Sequence, residues 1–274
     1  MKFQISKTEL EEIFQFSTDF IQSGKSGLDF GNSELQRGDI DKIADVAEGK
    51  IGELVFKKFC DSHNVEIGLD FKITPGKHAI DFGQDVEGVK INGEVQILIP
   101  RIDIKTSRSY SNWLLLEDHK LWASIIVFVT VNLPKNTEQN LDAFFSQPIS
   151  GEFRGFIYWF DLFDEGNQPW FEYTNQEPKN RLLNPIFVKQ MFLEAEKDDR
   201  LVRDRKQLVE TFHKVKSDFS HEKIFIGGPL KCPRQYGLPV FLIRKNEQQI
   251  KDLMSIISNL VVPQDTKGVL TDKR

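Results

Sequence analysis

The chain has 274 residues, of which 39% are hydrophobic and 28% are charged, and its formal net charge is −5. This balance is typical of a globular protein, and no run reaches the roughly 18 apolar residues that suggest a membrane helix. Two distant cysteines exclude a disulfide framework or a structural zinc site of the usual spacing. Because the polar start leads into a charged helix rather than an apolar signal core, we expect a cytoplasmic protein with no membrane partner.

The acidic excess is concentrated in the first 100 residues, which hold 11 Lys and Arg against 18 Asp and Glu. A specific nucleic-acid enzyme needs a basic cleft rather than a basic whole. The net charge therefore excludes only indiscriminate binding to polyanions.

Two helices are predicted in the first quarter of the chain. Residues 7–23 carry an apolar stripe at helical spacing, and a loop rich in turn-forming residues follows at 24–33. A second helix is predicted from about 39 or 41 to 62. Its glycines, Gly49 and Gly52, each cost a helix about 1 kcal/mol relative to alanine, which indicates a close backbone approach or tight packing.

The middle of the chain is predicted to form strands, at residues 66–73, 79–83, 89–91, 95–99 and 101–105. Asn92-Gly93, between the third and fourth, is a type I′ hairpin signal. Pro100 indicates a bulge or a sheet edge. The nearly all-apolar run 124–131 predicts a central, buried strand.

The second half alternates less clearly. Residues 154–163 predict a strand whose aromatic side chains join the core, and 141–145 predict one turn of helix. Further elements are predicted as a helix over 185–219, strands at 223–226 and 240–244, and a helix over 246–260.

The strand predicted at 101–105 contains the most informative short motif. Alternate side chains of a strand share a face, so Asp103 and Lys105 are expected on one face, with Ile102 and Ile104 on the other. The isoleucines suit a core. The opposite face then carries a metal-ligating carboxylate beside an ammonium that can contact phosphate. If the Asp-x-Lys triplet is considered alone, the alternative is that its charged side chains simply face solvent.

Two carboxylates lie upstream of this motif. Glu53 belongs to the second predicted helix, and Asp81 belongs to the second predicted strand, 22 residues before Asp103. A helix Glu, a strand Asp and a later Asp-x-Lys strand, in this order, resemble the PD-(D/E)XK nuclease superfamily and, within it, the type II restriction endonucleases. The resemblance covers roughly residues 40–131. It departs from the family at Ile80-Asp81, where the family has Pro-Asp.

The resemblance implies an α/β fold with a restriction-endonuclease-like core, in which helices flank a central mixed β-sheet. It also implies a site of Glu53, Asp81, Asp103 and Lys105 that uses Mg²⁺, with Mn²⁺ as a substitute. The metal would be held by Asp81, Asp103, the Ile104 carbonyl and, directly or through water, Glu53. Oxygen ligands of this kind suit both cations. Lys105 would orient the attacking water and offset charge on the phosphate.

Two of these assignments have rivals in the sequence. Asp85 is an alternative strand carboxylate, although apolar neighbours frame Asp81 better. Glu48 is an alternative to Glu53, but it precedes the Gly-x-x-Gly pattern. No phosphate-binding Gly-x-x-x-x-Gly-Lys loop occurs, so nucleotide hydrolysis is not indicated.

The expected function is metal-dependent endonuclease cleavage of double-stranded DNA, as in site-specific restriction. Alternatives are a structure-specific repair or recombination nuclease and a non-catalytic DNA-binding protein of the same fold. A homodimer is a further expectation, because two-fold symmetry matches a palindromic site. We expect one nuclease domain over 1–274. Its parts are an N-terminal helix and loop (1–38), a catalytic core (39–131), remaining sheet and helices that include DNA-recognition elements (132–260) and a tail (261–274).

Overall fold

The structure is a computed structural model, which describes residues 1–23, 38–71, 85–97, 101–109, 111, 113–117, 123–134, 140–158, 161, 171–174, 182–183, 234–240 and 243–260. Within these ranges the chain is a mixed α/β protein with three α-helices and three β-sheets. The predicted α/β class with a mixed central sheet is confirmed. The predicted strands 79–83 and 223–226 and the helix 185–219 lie outside the described residues.

The helices are α1 (Lys7–Gln22), α2 (Asp39–Asp61) and α3 (Glu247–Asn259), with a 3₁₀-helix at Leu141–Phe145. Capping boxes begin both α1 and α3, where Ser6 pairs with Glu9 and Asn246 pairs with Gln249. The helices predicted from apolar spacing are confirmed to within about two residues, the usual uncertainty of helix ends.

The strands are β1 (Lys2–Gln4), β2 (Ile67–Leu69), β3 (Val86–Ile91), β4 (Glu94–Ile97), β5 (Ile102–Arg108), β6 (Trp113–Glu117), β7 (Ile125–Asn132), β8 (Ser150–Tyr158), β9 (Phe171–Thr174), β10 (Leu182–Leu183) and β11 (Arg234–Pro239). The central sheet has the order β1-β8-β7-β5 and is mixed, because β5 and β7 are parallel while its other pairs are antiparallel. The other two sheets, β2-β3-β4 and β10-β9-β11-β6, are antiparallel throughout.

Several strand predictions are confirmed and one is wrong. Asn92 and Gly93 form the turn between β3 and β4 with φ of 53° and 86°, as a type I′ hairpin requires. Strand β7 is interior to its sheet and buried up to its last residue. The strand predicted at 240–244 is wrong in its described part, where only Arg244 makes a bridge, to Phe156. The strand lies earlier, as β11, in a segment rich in turn formers.

Helix α2 packs across the central sheet and contacts β5, β7 and β8. Its buried face carries Ile51, Val55 and Phe56, which share one hydrophobic core with Ile102 and Ile104 of β5. This packing brings the residues that follow Gly49 on α2 against the strand that carries the Asp-x-Lys motif.

Among the described residues, no helix is long and apolar enough to span a bilayer.

Candidate active site

Strand β5 places Asp103 and Lys105 on the face opposite its core-facing isoleucines. Ile102 and Ile104 are buried in the core shared with α2, which confirms the predicted alternation. Asp103 is also buried, with 5% of its surface exposed, and its Oδ2 lies 2.8 Å from the Lys105 Nζ. A buried carboxylate paired with an ammonium does not fit the solvated strand face that the triplet alone allowed.

Asp85, which immediately precedes β3, lies along the edge of β5 that faces away from β7. Its backbone N–H donates to the Ile102 carbonyl at 2.9 Å. Its side-chain Oδ2 accepts from the Ile104 N–H at 2.6 Å. These two bonds fix Asp85 beside the Asp-x-Lys segment from both its main chain and its side chain.

The same two bonds determine which way the backbone of β5 faces. In an extended strand, the N–H and C=O of one residue point to the same side. Because the Ile104 N–H points at Asp85, the Ile104 carbonyl also points away from β7, whereas Arg101 directs its carbonyl to the β7 side, toward Ser124 and Ile125. A carbonyl oxygen therefore lies on the same side of the strand as the Asp85 carboxylate.

Helix α2 supplies the second carboxylate, Glu53, which is 5% exposed. Its position depends on the preceding glycine. A Cβ at Gly52 would overlap Oγ1 of Thr106 on β5 and lie 2.8 Å from its Cβ, whereas a Cβ at Gly49 would meet nothing within 4 Å. Gly52 thus allows the helix to approach β5 closely enough for Glu53 to reach the buried site. At Gly52 both explanations of the glycine apply, because the helix backbone packs closely against the Thr106 side chain of β5.

The three carboxylates interact electrostatically. Burial raises the pKa of Asp85 well above its ordinary value, and the negative charges of Glu53 and Asp103 raise it further. The Ile104 N–H and the Lys105 ammonium oppose this rise without cancelling it. A third carboxylate charge at this point is therefore disfavoured both by burial and by repulsion from Glu53 and Asp103.

Lys50 is a member of this site that the sequence analysis missed. Its Nζ lies 2.8 Å from Glu53 Oε2 and also donates to the Asp70 carbonyl. The ammonium lies 5.3 Å from the ring centre of Phe16 and 5.1 Å from that of Phe71. The signal in the sequence was its position three residues before Glu53, which places both side chains on one helix face.

The rival for the helix position has another partner. Glu48 accepts from Arg108 Nε at 3.0 Å, at the last residue of β5, and Arg108 also donates to the Pro134 carbonyl. Of the two candidates for the strand carboxylate, Asp81, which the sequence favoured, lies outside the described residues. The described geometry brings Asp85 together with Glu53, Asp103 and Lys105.

The chemistry of this cluster fits a hard divalent cation, with carboxylates of Asp85, Asp103 and Glu53 and the Ile104 carbonyl as its oxygen donors. Among the described residues, no group of three or more His, Cys, Asp or Glu side chains is arranged so that it could hold a metal ion. Magnesium is commonly bound by only one or two carboxylates, with water completing its shell. The geometric observation in favour of a cation at this point is that the Asp85 carboxylate and the Ile104 carbonyl lie on the same side of β5.

Comparison with protein-family models, with curated proteins and with solved structures finds no match to this chain.

Proposed function

We propose that this protein is a metal-dependent endonuclease that hydrolyses phosphodiester bonds of double-stranded DNA at specific sites. The observation that carries the proposal is the convergence of three parts of the chain at the edge of β5 that faces away from β7. Helix α2 contributes Glu53, the start of β3 contributes Asp85, and β5 contributes Asp103 and Lys105. The convergence supports the restriction-endonuclease-like core that the order of these residues implies.

The proposed metal ligands are Asp85, Asp103 and the Ile104 carbonyl, with Glu53 acting directly or through water. We place Asp85 in the role that the sequence assigned to Asp81, because Asp85 is bonded to the centre of the Asp-x-Lys segment. When bound, Mg²⁺ or Mn²⁺ would supply an activated water and neutralise charge on the phosphate.

The residues of the chain support hydrolysis in distinct ways. Lys105 brings a positive charge to the phosphate whose oxygens gain charge as water attacks phosphorus and one P–O bond breaks. Its contact with Asp103 holds the ammonium at the strand face, so little reorganisation is needed when the phosphate arrives. Burial of Asp103 and Glu53 keeps bulk water from weakening these interactions.

The proposed substrate is double-stranded DNA, and a homodimer would present two such sites, one for each strand of a palindrome. Cleavage of a plasmid library of mixed sequence by the purified chain, in Mg²⁺ and in Mn²⁺, tests this. Discrete fragments are expected from wild type and none from Asp103→Asn. Cuts only at branched DNA would replace restriction by a structure-specific nuclease. A mobility shift without cleavage in either metal would overturn catalysis and leave a DNA-binding protein.

A further inference from the structure

Lys50 stands out because its ammonium is held by groups from three parts of the chain. Glu53 is its neighbour on α2, Phe16 belongs to α1, and Asp70 and Phe71 follow β2. Only 15% of the Lys50 side chain and 7% of the Glu53 side chain are exposed. A surface lysine usually retains rotamer freedom and contributes little through one ion pair, whereas this one is fixed by several partners.

The anchors of Lys50 connect it to the candidate site by a second route. The Asp70 carbonyl accepts from Lys50, and the Asp70 N–H donates to the Asp85 carbonyl at 3.3 Å. The ammonium is therefore tied through Asp70 to the backbone of one site carboxylate, and directly to the side chain of another, Glu53. A rigid donor of this kind restricts the orientation of the carboxylate that it contacts.

We propose that Lys50 is a positioning residue that fixes the Glu53 carboxylate for metal binding. This inference rests on the proposed function, since it assigns Lys50 a role toward the cation of that site. One Glu53 oxygen, Oε2, is held by Lys50, which sets the direction of the other oxygen. Partners that orient metal-binding side chains typically change metal affinity or activity by about 10- to 100-fold when they are removed.

The test compares Lys50→Met, Lys50→Arg and a matched control in the full-length chain. Lys42→Met is the control because Lys42, which is half-buried, forms an ion pair with the exposed Asp39 three residues away on the same helix. We expect Lys50→Met to raise the Mg²⁺ concentration for half-maximal cleavage, and to weaken Ca²⁺ binding measured by calorimetry, by about 10- to 100-fold. Lys50→Arg should retain more of both, and Lys42→Met should match wild type. Unchanged Ca²⁺ binding and Mg²⁺ response in Lys50→Met would overturn the inference.

A double-mutant cycle separates positioning from general packing. If Lys50 acts through Glu53, then Lys50→Met should cause no further loss of Ca²⁺ affinity in a Glu53→Gln background. Full additivity of the two losses would overturn the inference. Where Lys50→Met does not fold, Lys50→Gln replaces it, because the neutral amide removes the ion pair with Glu53 and keeps a polar side chain. A weaker Ca²⁺ affinity is then expected, and wild-type Ca²⁺ affinity would overturn the role of Lys50.

Calorimetry also keeps the two proposals distinguishable. A wild-type protein that binds Ca²⁺ but cuts no DNA would remove the nuclease function, and the variants would still test whether Lys50 controls metal binding. If Lys50→Met cuts DNA normally and Asp103→Asn does not, the proposed nuclease function stands and the positioning role of Lys50 is overturned.

Discussion

The carboxylate of Asp85 accepts a hydrogen bond at 2.6 Å from the backbone N–H of Ile104, the middle residue of the Asp-x-Lys triplet. A buried carboxylate next to Glu53 and Asp103 is energetically costly, and a main-chain donor offsets part of that cost. The bond thus explains how three carboxylates can be gathered at one strand edge, and it gives Asp85 a specific place in the proposed site.

The first prediction assigns the strand carboxylate. Asp85→Asn keeps an acceptor for the Ile104 N–H but removes the charge, so the protein should fold and lose at least about 100-fold in Mg²⁺-dependent cleavage, since a proposed ligand is removed. Cleavage rates and thermal melts of Asp85→Asn and Asp81→Asn, measured side by side, check this. Loss of activity in Asp81→Asn alone would return the role to Asp81, as the sequence favoured.

The difference between Asp81 and Asp85 shows what the sequence can and cannot predict. The alternation of Asp103, Ile104 and Lys105 is local, because strand geometry alone puts neighbours on opposite faces. The position of Asp85 depends instead on how the chain runs beside β5 before it enters β3. No local sequence pattern predicts that contact between distant segments. Framing by apolar neighbours favoured Asp81, but hydrogen bonding to β5 distinguishes Asp85.

Helix α2 also combines features that local sequence predicts with features that depend on distant segments. Its bounds and its buried stripe follow from apolar spacing, and Glu53 at the border of that stripe could be singled out. The two aromatic rings beside the Lys50 ammonium could not be predicted, since Phe16 and Phe71 come from segments that are distant in sequence. The contact that explains Gly52 likewise involves Thr106, 54 residues later.

A second prediction concerns Asp103, the buried carboxylate of β5. Asp103→Asn should abolish cleavage while leaving the fold and DNA binding in Ca²⁺ largely intact, because the amide preserves shape but loses the charge that a cation requires. Single-turnover cleavage assays and mobility shifts check the two parts separately. Wild-type cleavage rates in this variant would contradict the proposed site as a whole.

The third prediction concerns the ammonium of Lys105, 2.8 Å from Asp103. Lys105→Ala should lose about 100- to 1,000-fold in cleavage rate, because a preorganised charge of this kind is worth about 3–4 kcal/mol in the transition state. Ca²⁺ affinity should fall less than in Asp103→Asn, since Lys105 is not a ligand. A variant that cuts DNA at the normal rate would make Lys105 only the counter-ion of Asp103.

The fourth prediction is a dependence of stability on pH through Glu9. Partial burial raises the pKa of Glu9, but hydrogen bonds from Lys58 and from Ser6 outweigh burial and lower it from its ordinary value of 4.5. A carboxyl whose pKa is lower in the folded state stabilises the protein above its unfolded pKa, and this contribution is lost as pH falls through the folded value.

Urea unfolding of wild type and Glu9→Gln at neutral pH and in acid checks this. Wild type should be the more stable protein at neutral pH, and the difference should shrink as the solution is acidified below 4.5. Glu11→Gln is the control, because Glu11 forms an exposed pair with Lys7 on the same helix. A Glu9→Gln difference that does not change with pH would show that the Lys58 and Ser6 contacts do not set the stability of the charged form.

The last prediction uses the two glycines of α2 as a matched pair. Gly49→Ala places a methyl group in open space and should stabilise the protein by about 1 kcal/mol, the usual advantage of alanine over glycine within a helix. Gly52→Ala places the same group against Thr106 and should destabilise the protein by about 1–3 kcal/mol, the cost typical of overpacking.

Because α2 must then move away from β5, Gly52→Ala should also weaken Ca²⁺ binding through Glu53. Urea unfolding and calorimetry of both variants check this, with Thr106→Ala added to remove the Oγ1 and Cγ2 atoms of that contact. If Gly52→Ala is as stable as Gly49→Ala, the close approach of α2 to β5 is not what holds Glu53 at the site.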